Sequence, residues 1–111
     1  ELVLANNADM ALGAVDAYEK SELSEEDYPV FFGIDGTDVG VQAVADGAFA
    51  GTVYNDKEGQ AEAMAELAVV LATGDGLQNL EFERGKYIYL PYEKITRENV
   101  STFFEAAVPG E

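Results

Sequence analysis

The chain has 111 residues, 48% apolar and 25% charged, which suits one small globular domain and argues against a disordered segment. Six Lys and Arg face 22 Asp and Glu, and the formal charge of −16 makes a phosphate backbone or an anionic membrane face a poor partner. Cys and His are both absent, so disulfides, thiol catalysis, histidine triads and His/Cys metal sites cannot be assembled within this chain. The plain reading of the acidity is that it keeps a secreted or surface protein soluble, and the competing one is a specific cationic partner. No apolar run reaches the ~18 residues of a membrane span. The chain opens at Glu1, straight into an apolar run with neither Met nor leader, which suggests that an N-terminal part of a longer protein precedes it.

Leu2–Ala5 is a short continuous apolar run and reads as a buried strand ended by Asn6-Asn7. A helix is predicted over Ala8–Lys20, with Met10, Ala14, Ala17 and Tyr18 on one face. Ser21–Asp27 is an acidic loop. Pro29 opens a second strand, Val30–Ile34, closed by Asp35-Gly36, with Thr37 as candidate N-cap of a short helix that stops at Gly47. Phe49–Tyr54 is a third strand ended by Asn55-Asp56. A helix over Lys57–Thr73 follows, its stripe Ala61, Met64, Ala65, Ala68 and Leu71 ending at Gly74. Asp75–Gly85 reads as a loop or a weak hairpin. Tyr87–Leu90 is a fourth strand cut by Pro91, and a last helix after Thr96 carries Val100, Phe103 and Phe104 on one face. This alternation predicts the α/β class: a parallel sheet with flanking helices.

In open α/β sheets, ligands collect beyond the carboxyl ends of the strands. Three predicted strands end in polar residues, at Asn6-Asn7, Asp35 and Asn55-Asp56. A carboxylate accepts hydrogen bonds and an amide both donates and accepts, which suits a neutral polyol. Asn and Asp also follow strands because they cap helices and tolerate turns, so a capping role competes with binding. Gly33, Gly36 and Gly40 match neither phosphate-loop nor dinucleotide patterns, and close backbone packing at a strand end accounts better for Gly33. Asp9, Asp35 and Asp56 could pair as glycosidase carboxylates, but so acidic a chain yields such pairs by chance. Asn99-Val100-Ser101 matches a glycosylation sequon, a signal of little weight.

LVLANNADMALG (2–13), PVFFGIDG (29–36), GAFAGTVYND (47–56, with Gln60 beyond it) and YIYLPYEKIT (87–96) together resemble the galactose/glucose-binding proteins of bacterial ABC transporters. The resemblance runs over nearly the whole chain, in order. It implies a partial type I periplasmic-binding-protein fold (Rossmann-like), a C-terminal fragment forming a single incomplete unit over 1–111. Residues 1–55 would be the later part of the second sugar-binding lobe, 56–86 a helix and loop returning to the first lobe, and 87–111 the crossover strand and terminal helix. The family's sugar ligands map onto Asn7 of A-N-N, Asp35 of G-[VI]-D and Asn55 of T-V-x-N-D. One departure is Ala8, where the family often has Asp; the acid here comes at Asp9. Glu1 matches a family calcium ligand, but the calcium loop is not in this chain, so structural calcium is an expectation for the full-length protein only, and no other cofactor is required.

The resemblance therefore implies a non-enzymatic substrate-binding component of a sugar ABC transporter. It would lie in the periplasm or outside the cell, as a secreted protein or cell-surface lipoprotein. Its partners would be a monosaccharide such as galactose or glucose, a permease and the missing N-terminal portion. The alternative is the effector-binding core of a lac-repressor-type regulator, whose DNA-binding segment would lie upstream. An enzyme on this scaffold is the weakest reading, because the chain has no His or Cys, no cofactor fingerprint and no obvious activated nucleophile. Alone, the fragment is expected to bind sugar weakly and to self-associate through an unpaired sheet edge.

Overall fold

The computed structural model describes residues 1–106. Four strands form one sheet in the order β1 (Leu2–Leu4), β2 (Val30–Phe32), β3 (Gly51–Tyr54), β4 (Glu93–Thr96). The helices are α1 (Ala8–Glu19), α2 (Asp38–Asp46), α3 (Lys57–Thr73) and α4 (Val100–Ala106). The chain divides into two units: Glu1–Asn55 with the chain from Glu93 onward, and Asp56–Tyr92.

In the first unit β1 pairs parallel with β2, Leu2 to Val30 through Leu4 to Phe32, and β2 pairs parallel with β3 at Phe32 and Gly51. A run β1-α1-β2-α2-β3 with adjacent strands and right-handed crossovers puts both helices on one face of the sheet. That face holds the core. Ala8, Ala11 and Val15 of α1 and Val41, Ala43 and Val44 of α2 join Phe31, Phe49, Ile95 and Val100 in one buried cluster. On the other face Leu2, Leu4 and Val30 are 61%, 66% and 49% exposed. Helix ends follow local chemistry. The Thr37 hydroxyl accepts from the Gly40 N–H, and Gly47 closes α2 at a φ of +89°.

The fourth strand departs from the sequence reading twice. It is Glu93–Thr96 rather than Tyr87–Leu90, and it runs antiparallel to β3, with Thr52 opposite Ile95. The apolar run 87–90 looks like a strand by composition, yet Tyr87, Ile88 and Tyr89 stay exposed. The segment that pairs has a single buried side chain, Ile95, and solvated neighbours, the pattern of a sheet-edge strand with one wet face. The third strand is also shorter than its apolar run: Phe49 lies before it, 2% exposed in the core, its N–H donated to the Ala43 carbonyl.

In the second unit α3 has the predicted limits. The Asp56 carboxylate caps it by accepting from the Gly59 N–H, and Gly74 ends it at a φ of +76°. Its stripe differs from expectation: Ala61, Met64, Ala65, Ala68 and Leu71 are all exposed, and the half-buried positions are Gly59, Ala63, Leu67 and Val70. Residues 75–85 contain a single turn of 3-10 helix, Leu77–Asn79, and then a tight reversal at Arg84 and Gly85, closed by an antiparallel bridge between Glu83 and Tyr87. No helix among the described residues is long and apolar enough to cross a membrane.

Candidate functional site

Asn7 follows β1 with extended backbone, φ −151° and ψ 141°, and is the N-cap of α1. Its Oδ1 accepts from the Asp9 N–H at 3.0 Å and the Met10 N–H at 3.2 Å. That leaves its amide nitrogen pointing away from the helix, and Nδ2 donates to Asp35 Oδ2 at 3.1 Å. Capping and site-building are thus one geometry, because each end of the same amide serves one of them.

The neighbour of Asn7 explains how the two strand ends come so close. Ala8 is fully buried. A Cβ on Gly33 would lie 2.9 Å from Ala8 Cα, and one on Gly40 2.8 Å from Ala8 Cβ. The first turn of α1 is therefore seated against bare backbone just past β2 and in α2, which supports close packing as the reason for Gly33. Ala8, the departure from the family pattern, is buried against these two glycines, and Asn7 keeps its cap beside it.

Asp35 stands just beyond β2 with a φ of +93°, in the left-handed region that L side chains seldom adopt. It forms a parallel bridge with Tyr54, and its carbonyl accepts from the Asn55 N–H at 3.2 Å. Asn7, Asp35 and Asn55 are each half-buried. The three strand-end residues named from the sequence thus meet at one rim, with Asp35 joined to Asn7 through its side chain and to Asn55 through its backbone. Asp9 is exposed in the first turn of α1, and Asp56 caps α3, so neither forms a carboxylate pair with Asp35 in the described contacts.

The hydrogen-bond capacity of this rim is directional. Both lone pairs of Asn7 Oδ1 serve the helix and one Nδ2 hydrogen serves Asp35, so what Asn7 can offer a ligand is a donor. The Asp35 carboxylate keeps acceptor capacity beyond its one bond from Asn7. A donor beside an acceptor matches a hydroxyl, which needs both. Sequence reasoning missed Tyr54 and the strained turn at Asp35-Gly36; the adjacent Asp-Gly pair at a strand end was the available signal.

Glu1 lies exposed ahead of β1, its carbonyl accepting from the Val30 N–H. Calcium takes 6–8 oxygen ligands. Among the described residues no three His, Cys, Asp or Glu side chains converge as a metal site would require. Glu1 by itself does not make one.

The periplasmic binding protein domain matches residues 1–76. The chain belongs to that family. It is similar to a putative rhizopine-binding protein of Rhizobium meliloti, 33% identical over 103 residues, which cover 93% of this chain and 31% of that protein. It is also similar to the D-galactose/methyl-galactoside binding periplasmic protein of Haemophilus influenzae, 30% identical over 107 residues, 95% of this chain and 31% of that one. Among solved structures, an ABC transporter solute binding protein from Bacillus halodurans with bound myo-inositol superposes at a TM-score of 0.76 and 33% identity, over 93% of this chain and 32% of that chain. A periplasmic solute binding protein from Actinobacillus succinogenes with bound D-allose superposes at 0.73 and 22% identity, over 91% and 32%, and supports the fold alone. The α/β fold is that of periplasmic binding proteins, and the chain spans about a third of the length of the relatives it matches.

Proposed function

We propose that this chain is the C-terminal part of the substrate-binding component of a sugar ABC transporter, and that its rim of Asn7, Asp35 and Asn55 binds a neutral ring polyol without chemistry. The observation that carries the reading is the Asn7–Asp35 hydrogen bond, which sets one amide donor beside one carboxylate acceptor at the carboxyl ends of parallel strands. The ligand class includes galactose and glucose, and extends to cyclitols and other sugars because the relatives named above differ in the ring they are named for or hold. Residues 1–55 belong to one sugar-binding lobe, 56–86 return to the other, and 87–111 cross back. The protein works outside the cytoplasmic membrane and delivers its ligand to a permease. Lack of His and Cys in the chain favours binding over catalysis.

Calorimetry on the full-length gene product with D-galactose, D-glucose, D-allose and myo-inositol tests this. Saturable heat with at least one of them, lost in Asp35→Ala and weakened in Asn55→Ala, is the expected result. No binding of any of the four, or binding indifferent to Asp35→Ala, rejects it.

A further inference from the structure

A carboxylate on a left-handed backbone is not held there by its own preference, so something around Asp35 must fix it. Gly36 continues the turn at a φ of +57°. Two contacts converge on Tyr54, and a third comes from the residue after it. Asp35 forms its bridge with Tyr54. A Cβ on Gly36 would lie 2.8 Å from Tyr54 Cα and 3.2 Å from its ring carbon Cδ2, so the turn is pressed onto Tyr54 as closely as a glycine allows. Next in the chain, the Asn55 N–H holds the Asp35 carbonyl. Tyr54 is itself backed by α4: its ring lies 5.5 Å from that of Phe103, tilted by 59°.

We propose that Tyr54, backed by Phe103, is a positioning residue that holds Asp35 in its left-handed backbone and so aims the carboxylate at Asn7 and at a ligand hydroxyl. The last clause rests on the proposed function; the holding role stands without it. The hold is steric. Relaxing Asp35 to negative φ needs the 35–36 turn to swing, and the Tyr54 backbone and ring occupy that space. A smaller, more flexible side chain, or one without Phe103 behind it, leaves the turn room to relax.

Solution NMR on the chain reads this directly, since a residue at positive φ shows an unusually strong cross-peak between its own amide and Hα protons. Tyr54→Phe keeps the ring and should keep that signature at Asp35, together with the side-chain amide shifts of Asn7. Tyr54→Leu should lose both. Phe103→Leu should weaken both, and decides the matter if Tyr54→Leu does not fold. In the full-length gene product, myo-inositol affinity should fall by about tenfold or more in Tyr54→Leu and stay within about twofold in Tyr54→Phe. An Asp35 signature unchanged in both leucine variants overturns the proposal. Loss of that signature in a protein whose parent binds no polyol supports the holding role and rejects the functional reading instead.

Discussion

Asn7 Nδ2 donates to Asp35 Oδ2 at 3.1 Å, across 28 residues of sequence, while the other end of the same amide caps α1. A helix start and a strand end are thereby tied by one side chain. Substitutions at either residue should separate structure from binding in ways the two roles predict.

Asp35 carries charge at the centre of the rim, so Asp35→Ala in the full-length gene product should cost at least ~2 kcal/mol of ligand affinity, about 30-fold, by removing a charge-assisted acceptor. Calorimetry measures it. The left-handed φ adds a second expectation without ligand. Asp35→Gly and Asp35→Ala lose the same carboxylate, but only glycine accepts that backbone freely, so the glycine variant should be more stable by about 1 kcal/mol. Equal denaturation midpoints for the two would contradict a strained Asp35.

At Asn7, alanine removes both the cap and the donor to Asp35, whereas serine keeps a capping oxygen alone. Asn7→Ala should lower chain stability by about 1 kcal/mol, and Asn7→Ser by a few tenths at most. Both should weaken polyol binding in the full-length gene product. A serine variant that binds as the parent does would show that Asn7 serves only the helix.

Thr52 faces the core opposite Ile95 at 2% exposure, and its hydroxyl has no hydrogen-bond partner among the described residues. Burying a hydroxyl unpaired is unfavourable, and valine has nearly the same shape and equal strand preference. Thr52→Val should therefore stabilise the chain by about 1 kcal/mol in urea denaturation. A loss of stability would mean that the hydroxyl is satisfied by bound water.

Leu2, Leu4 and Val30 are exposed on the face of the sheet away from the core, at and beside the edge strand β1, a combination that favours association. The charge of −16 opposes it. Sedimentation of the chain should show self-association that strengthens with salt, as repulsion is screened, and that Leu4→Lys reduces. A monomer at every salt concentration would reject this, and so would tight polyol binding by such a monomer.

The sequence by itself determined what nearest neighbours along the chain decide. Apolar runs at 2–5 and 30–34 fixed two strands. Thr37, Gly47 and Gly74 fixed helix ends, because a cap or a left-handed glycine acts within a few residues. Polar residues after those strands marked the rim, since consecutive parallel strands expose the same end. Only tertiary structure decided what depends on residues far apart. Composition favoured Tyr87–Leu90, yet Glu93–Thr96 pairs with β3, because pairing requires one buried side chain in register with Thr52 rather than a long apolar run. The stripe of α3 could be counted but not oriented. The left-handed turn at Asp35 and the grip of Tyr54 on it had no local signature beyond Asp-Gly. Their cause is contact of the turn with the backbone and the ring of Tyr54 at the end of the neighbouring strand, and folding must first bring those strands together.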